Sequence, residues 1–449
     1  MKYYYPNKIS FLKFLLKSTH IAKNPLPYHR KWFDDVGDTF SLKSPFYGHI
    51  ILTRDAEMAK HILQKNHKVY HKSKIQTRYL SKYVGYGLLT SSGDYWLKQR
   101  RLIQPAFHKE KINNLVGIIN DAIEEQVASI PSDKMVELYP LMNELAFEVV
   151  AKSLFNFSAE KQTLKRLQFI IEKLQLFIIK ELRLPYQKVW YVLSGQVRYH
   201  MKLVKESRAI ILEIIELRRQ SKETHDDLLD MLLNAEYEDG SKMTNDQLID
   251  EILILFVAGH ETTANALTFT LKLLAVNQKE LRQVSDETRA VNQNNVSPLQ
   301  RLSKLNYTKC SIEESLRLYP PAWITDRMNI QDDNIGSYKL KKGTIIGTSI
   351  YELHRNKKYW KQPDQFKPER FFEENRKAIL PYYMPFGAGP RLCIGNNFAM
   401  YEMMLTLNAI LNRFHIETDT DRIETNPLIT LKPVNVNLKF TKRRKPEGS

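Results

Sequence analysis

Cysteine is nearly absent from this chain: Cys310 and Cys393 are the only two in 449 residues. Two thiols cannot form a disulfide framework, and such scarcity agrees with a reducing compartment. No Gly/Ser- or Pro-rich linker, low-complexity tract or internal repeat interrupts the chain. A length that would allow roughly two to four domains therefore reads as one unit. Long apolar runs are missing from the N-terminus, where Ile9 to Leu16 is short and broken by Lys13. A membrane span needs about 20 apolar residues and a secretory signal needs a small-residue cleavage site. The expectation is a cytoplasmic protein with no transmembrane segment and at most peripheral membrane contact. Zinc-finger spacing, a basic-zipper heptad and an aromatic RNA-binding signature are missing too, so nucleic acid is not an expected partner. The net charge of +17, from 67 basic and 50 acidic residues, would otherwise suit nucleic acid, an anionic membrane or an acidic protein. A Lys-rich solvated surface accounts for it equally.

What is present is core material, with 43% hydrophobic and 11% aromatic residues. Residues 38–53 pattern as two short strands around a turn, followed by a helix from Asp55 to Gln64 that Thr53 or Asp55 could cap. Helical periodicity then dominates, with long segments at 110–129, 140–155, 161–183 and 201–220. The stretch 337–353 reads as a hairpin with Gly343 near its turn. The fold class is mainly α (α+β). One helix is apolar on every side, from Ile252 to Val257 and again from Ala264 to Val276. Such a helix is either buried in a large core or crosses a membrane. The polar break between its halves, AGHETT (258–263), would be costly at mid-membrane, so a core helix fits better.

Four clusters could carry chemistry. In AGHETT, a zinc-binding HExxH would need a second histidine at 264, where alanine stands. Two readings stay open: Gly259 and Thr262 thin and bend the helix, or Glu261 and Thr262 deliver protons to a ligand in the groove. In GAGPRLCIG, glycines allow a tight turn and close approach to a flat ligand. Cys393 there precedes a helix start, where amide groups and the helix dipole favour a thiolate; an inert buried thiol is the alternative. Glu314 and Arg317 share a helix face and could pair. Trp96 and Arg100, one turn apart, could pack together or present two donors to an anion.

These motifs, in this order, resemble those of the cytochrome P450 superfamily, and the chain is identified as a soluble, bacterial-type member. The loop FGAGPRLCIG matches the family's haem-binding loop at Phe386, Gly387, Gly389, Arg391, Cys393 and Gly395. AGHETT matches the oxygen-activating helix, and ESLR the Glu-x-x-Arg pair. PERF (368–371) supplies Arg370 as third member of a structural network with Glu314 and Arg317. The resemblance implies a single haem domain over 1–449, a large helical domain whose main β-rich region draws on 38–70 and 327–353, without a fused reductase. It implies haem b (iron protoporphyrin IX) with Cys393 as the metal ligand and Phe386 screening the thiolate. The N–H groups of Gly387 and Gly395 would bond the sulfur, and Trp96, Arg100, Arg327 and Arg391 would meet the haem propionates. Ala258 and Gly259 would lie against bound O2, with Thr262 and Glu261 relaying protons.

The implied activity is a monooxygenase that inserts one atom of O2 into a small organic substrate, by hydroxylation or, at an ether carbon, by oxidative O-demethylation. A fatty-acid or terpenoid hydroxylase and a peroxide-driven peroxygenase are the alternatives, the second disfavoured by the Glu261–Thr262 pair. A haem sensor would leave that pair without purpose. Gln76, Arg78, Trp323, Thr325 and Ile429 are candidate pocket residues, and their mixed polarity favours a compact, partly polar substrate. Electrons would come from NAD(P)H through an acidic ferredoxin or flavodoxin and its reductase. That partner would be steered to a monomeric protein by Lys98, Arg100, Arg101, His108, Lys109 and Lys111.

Overall fold

A capping box starts the central helix, Asn245–Val276: the Thr244 side chain accepts from Gln247 N while Gln247 reaches back to the Thr244 backbone. In the computed structural model, which describes residues 2–45, 47–155, 161–221, 227–293 and 296–443, this helix is long and apolar enough to cross a membrane. Yet 78% of its most apolar stretch is buried inside the protein, as expected of a core helix. It packs along Leu138–Phe155, whose Leu145, Val149 and Val150 are buried with Ile252, Phe256 and Leu267 in one hydrophobic cluster. A Cβ on Gly259 would come 3.2 Å from a Val150 methyl, so glycine there lets the two helices lie close.

The other long helices fall near their expected spans, at Lys109–Ala128, Lys161–Arg183 and Gln196–Gln220. The last begins about a turn earlier than its apolar periodicity suggests, because Gly195 in a left-handed conformation (φ 74°) starts it. Asn306–Leu318 and Asn396–Arg413 complete the core.

The main sheet opens with the antiparallel pair Thr39–Ser44 and Gly48–Thr53. The expected helix follows as Ala56–Lys60, capped by Asp55, which accepts from Met58 N at 2.9 Å, and continues as a π-helical turn, His61–Lys65. The reading of 337–353 as one hairpin is corrected. Gly343 (φ 86°) does turn the chain, but the strands beside it join different sheets. Tyr338–Leu340 folds back on Asp333–Ile335. Ile345–Ser349 is buried at all five positions and so takes partners on both edges, Gly48–Thr53 in parallel and Ile324–Asn329 antiparallel. Residues 350–353 are helical. Near the C-terminus Glu424–Pro427 pairs with Leu431–Val434, and the tip of that hairpin returns to the core helix. The architecture is mainly helical with a small β region.

Beneath this core lies a buried ion pair. Arg317 grips Glu314 through Nε (2.6 Å) and Nη2 (2.8 Å), both side chains fully buried. Arg317 Nη1 donates to the carbonyls of His354 (2.8 Å) and Pro363 (2.6 Å), and its guanidinium stacks 5.0 Å from the Trp360 ring. Arg370 Nε and Lys367 N also donate to Glu314 Oε1, at 3.2 and 2.8 Å. Replacing Glu314 by Gln leaves two guanidinium groups without their carboxylate. Urea unfolding of Glu314→Gln should show a loss of about 3–5 kcal/mol; a loss below about 1 kcal/mol would be that of a surface pair.

Candidate functional site

Cys393 sits on a loop that local hydrogen bonds shape before any ligand is considered. Its N–H donates to Phe386 O (3.0 Å), Leu392 N to Gly389 O (2.9 Å) and Gly387 N to Met384 O (3.1 Å). Gly387 and Gly389 both have positive φ, 77° and 70°. At Gly389 a Cβ would fall 1.9 Å from Leu63 O, so the loop rests directly on the π-helical turn. Phe386 is half-buried and packs on the main core. The amide expectation is half corrected: Gly387 N–H is committed to Met384, and the N–H facing the sulfur is that of Gly395. Gly395 caps the helix Asn396–Arg413, as the sequence suggests.

The surroundings of the sulfur pull its proton in opposite directions. Cys393 is exposed by surface area, but it opens onto the interior, and desolvation by the surrounding protein pushes its thiol pKa up. The Gly395 amide and the Arg100 charge pull the other way and lose. A metal ion that binds the sulfur displaces the proton.

Beside the loop, cations gather. Burial lowers Arg391 to about 9 and Arg327 to about 10, and the two repel each other in the first case. Lys72 is pushed well down by burial and by both arginines. Asp326 offsets the charge on Arg327 and Lys72, which leaves the corner positive. Arg391 also lies 4.1 Å from the Trp96 ring centroid. Arg100 faces the loop, donating Nη1 to Leu392 O (3.0 Å) and Nε to Gln104 (3.1 Å). A soft sulfur donor, a close-set loop and an excess of positive charge fit a haem with two carboxylates. Among the described residues no group of three His, Cys, Asp or Glu could hold another metal.

Along the core helix, Thr262 Oγ1 donates to Ala258 O (2.7 Å) and Thr263 Oγ1 to Gly259 O (3.0 Å), so both hydroxyls are held on the helix's own carbonyls at the polar break. Glu261 points to a different side of the helix, since successive residues are about 100° apart. Its Oε1 accepts from Thr430 Oγ1 (2.9 Å), which also accepts from Asn265 Nδ2 (3.1 Å). Burial raises the Glu261 pKa against the pull of Thr430 and Lys432. His260 is a satisfied core residue: it donates Nδ1–H to Phe256 O (2.6 Å), and burial drops it to about 4.

The candidate pocket residues divide. Gln76 is corrected: its amide bridges Lys72 Nζ and Asp326 (2.7 Å), so it braces the cation corner. Trp323 is corrected too, being buried with Leu26, Phe269 and Leu431, its indole N–H on Leu428 O (3.1 Å). It thereby anchors the hairpin tip that carries Ile429, and Ile429 packs among Leu80, Phe177 and Ile254. Thr325 accepts from Arg327 (3.2 Å), and Arg78 is exposed.

Three features escape sequence reading. Lys72 has no motif around it. His354, held neutral by burial, accepts from Met384 N through Nε2 (2.8 Å) and so ties the Arg317 network to the cysteine loop. Asp250 and Glu251 accept from Tyr86 N (2.7 Å) and Leu88 N (2.9 Å), fixing the segment before the helix Gly93–Ile103 that carries Trp96 and Arg100. Gly87 was the available signal, since a Cβ there would strike Glu251 at 2.7 Å.

Compared with known proteins, residues 5–440 match the Cytochrome P450 family. Cytochrome P450 4V2 of Mus musculus is 27% identical over 449 residues, covering 94% of this chain and 83% of the relative. Two cytokinin hydroxylases of Arabidopsis thaliana are 30% and 32% identical, covering 92% and 91% of this chain and 82% of each relative. These relatives come from an animal and a plant, and they lend no support to the bacterial-type expectation.

If the cation corner holds carboxylates, Arg391→Met should speed haem transfer to apomyoglobin by about tenfold or more, the worth of one charged hydrogen bond. The haem-free variant should unfold at no lower urea concentration, because like-charge repulsion is relieved. Unchanged transfer with a weakened haem-free protein would make Arg391 merely structural.

Proposed function

Since the chain belongs to the cytochrome P450 family and is a monooxygenase of that family, we propose that it hydroxylates a C–H bond of a small, partly polar organic molecule. The balance is RH + O2 + 2 electrons + 2 protons giving ROH and water. The haem, when bound, supplies the redox chemistry of oxygen cleavage and substrate oxidation. The same insertion at an ether carbon ends in O-demethylation. The names of the Arabidopsis relatives favour the hydroxylase outcome.

The observation that carries this reading is the Thr262–Glu261 pair. Thr262 holds its hydroxyl on the Ala258 carbonyl, a bond that one side-chain rotation would release. Glu261, its neighbour in sequence, is buried on the Thr430 hydroxyl with a raised pKa, and a side-chain rotation away from Thr430 would bring its carboxyl round as the proton donor. A site driven by peroxide alone has no need of such a pair. Gly259, whose missing side chain is taken up by Val150, serves the close packing of the two helices. Arg327, Arg391, Lys72 and Trp96 would hold the propionates, and the half-buried Phe386 would shield Cys393.

The electron donor in this reading is an acidic ferredoxin or flavodoxin with its reductase, meeting a cytoplasmic monomer. Lys98, Arg101, His108, Lys109 and Lys111 are exposed, and their corner borders the cysteine loop through the Arg100–Leu392 bond and the Phe107 ring, 3.7 Å from where a Gly395 Cβ would stand. Charge steering predicts that the reduction rate falls as ionic strength rises; a rate indifferent to salt removes this docking face.

The central test is the carbon monoxide difference spectrum of the reduced holoenzyme. A thiolate-type band should appear, and Cys393→Ser should abolish it with the fold intact by circular dichroism. A band that survives the substitution refutes Cys393 as the ligand.

A further inference from the structure

The chain between the short helix Ser81–Val84 and the helix Gly93–Ile103 is pressed hard onto the core helix. A Cβ on Gly85 would overlap the Asp250 side chain, and one on Gly87 would stand 2.7 Å from the Glu251 carboxyl. Thr90 folds the segment on itself, accepting from Gly87 N (3.2 Å) and donating to Gly85 O (2.8 Å). At its far end Ser92 Oγ accepts from Lys72 N (3.1 Å). Leu89 and Ile429 pack on the buried cluster of Leu80, Phe177 and Ile254. Residues 85–92 thus form a strap between the cation corner and that apolar cluster.

Two adjacent carboxyl groups hold the strap, and each is held differently. Asp250 accepts from Tyr86 N and pairs with Arg208, which reaches in from the helix Gln196–Gln220 to bridge Asp250 and Asp246. Its charge is answered. Glu251 is fully buried and accepts from Leu88 N through Oε2, while nothing among the described residues bonds its Oε1. In a dry site an ionised carboxylate with one orphan oxygen costs more than the neutral acid, whose proton sits on that oxygen. Desolvation accordingly raises the Glu251 pKa to about 7, opposed by the Leu88 amide and helped by the Asp250 charge. Tyr95 and Tyr237 face it from the neighbouring elements, and burial together with Glu251 pushes both further from ionisation. The nearest histidine to the strap is His71, 3.8 Å from where a Gly93 Cβ would stand.

We propose that Glu251 and the strap 85–92 form a pH-operated latch, shut while Glu251 is protonated and loosened when it ionises. With the strap lifted, water reaches the carboxyl and its pKa returns toward the ordinary 4.5. The shut state therefore holds an extra proton between about pH 4.5 and about pH 7. The latch is tightest below that window, weakens as pH rises through it and levels off above it. Loosening frees Leu89 from the apolar cluster and slackens the approach to Trp96 and Arg100. None of this depends on the reaction catalysed.

Hydrogen exchange of the Leu88 amide and its neighbours in the holoenzyme tests the latch, with protection factors giving the opening equilibrium. The opening constant should rise by about tenfold or more between about pH 5.5 and about pH 7.5. Glu251→Gln keeps an acceptor for Leu88 N and stays neutral, so it should hold the low-pH protection across the range. Gly87→Ala props the strap off the Glu251 carboxyl and should loosen it at both ends of the range, with the slope gone. A flat wild-type profile overturns the proposal, as does a slope undiminished in Gly87→Ala. A slope that persists in Glu251→Gln also overturns it and passes the titration to His71.

Discussion

Glu314 and Arg317 sit where a charge is tolerable only with every hydrogen bond made, and the fold arranges that those bonds go to the right places. Arg317 spends its donors on carbonyls of the chain that leads from the sheet to the cysteine loop, at His354, Pro363 and Gln365. His354 then passes the constraint on through Met384 N. The cysteine loop is thus hung from a fully satisfied ion pair rather than from its own short turns. On its other side it leans on Leu63, so the Cys393 sulfur is fixed from two directions.

Around that sulfur the protein's electrostatics run against its own side chains. Burial lifts the thiol and depresses two arginines and a lysine. Each of these groups is held away from its comfortable state by desolvation first and by its neighbours second. Perturbed groups that share one cleft are what a functional centre requires.

Much of this was legible in the sequence because the decisive signals are local. The glycines around Cys393, the capped apolar helix with its polar break, and the i, i+3 spacing of Glu314 and Arg317 each announce their geometry within one turn or loop. What failed was long-range. The sequence around Gly343 is a sound hairpin pattern, but strand pairing was decided by burial of Ile345–Ser349 between partners far away in the chain. Gln76 and Trp323 looked like pocket residues because polarity and ring size say nothing of direction; Lys72 and Leu428 claimed them. Lys72 and His354 carry no motif, since their roles exist only once distant segments meet.

The order of strands in the main sheet also has a consequence for biogenesis. Gly48–Thr53 emerges early, with Ile50, Ile51 and Leu52 along an edge whose parallel partner, Ile345–Ser349, is synthesised roughly 300 residues later. At ribosomal speeds of about 5–20 residues per second, that edge waits on the order of 15–60 seconds without its neighbour. The nascent chain therefore carries an open, β-branched template through most of its translation. Chaperone occupancy of this hairpin, rather than the stability of the finished sheet, would set the yield of folded protein.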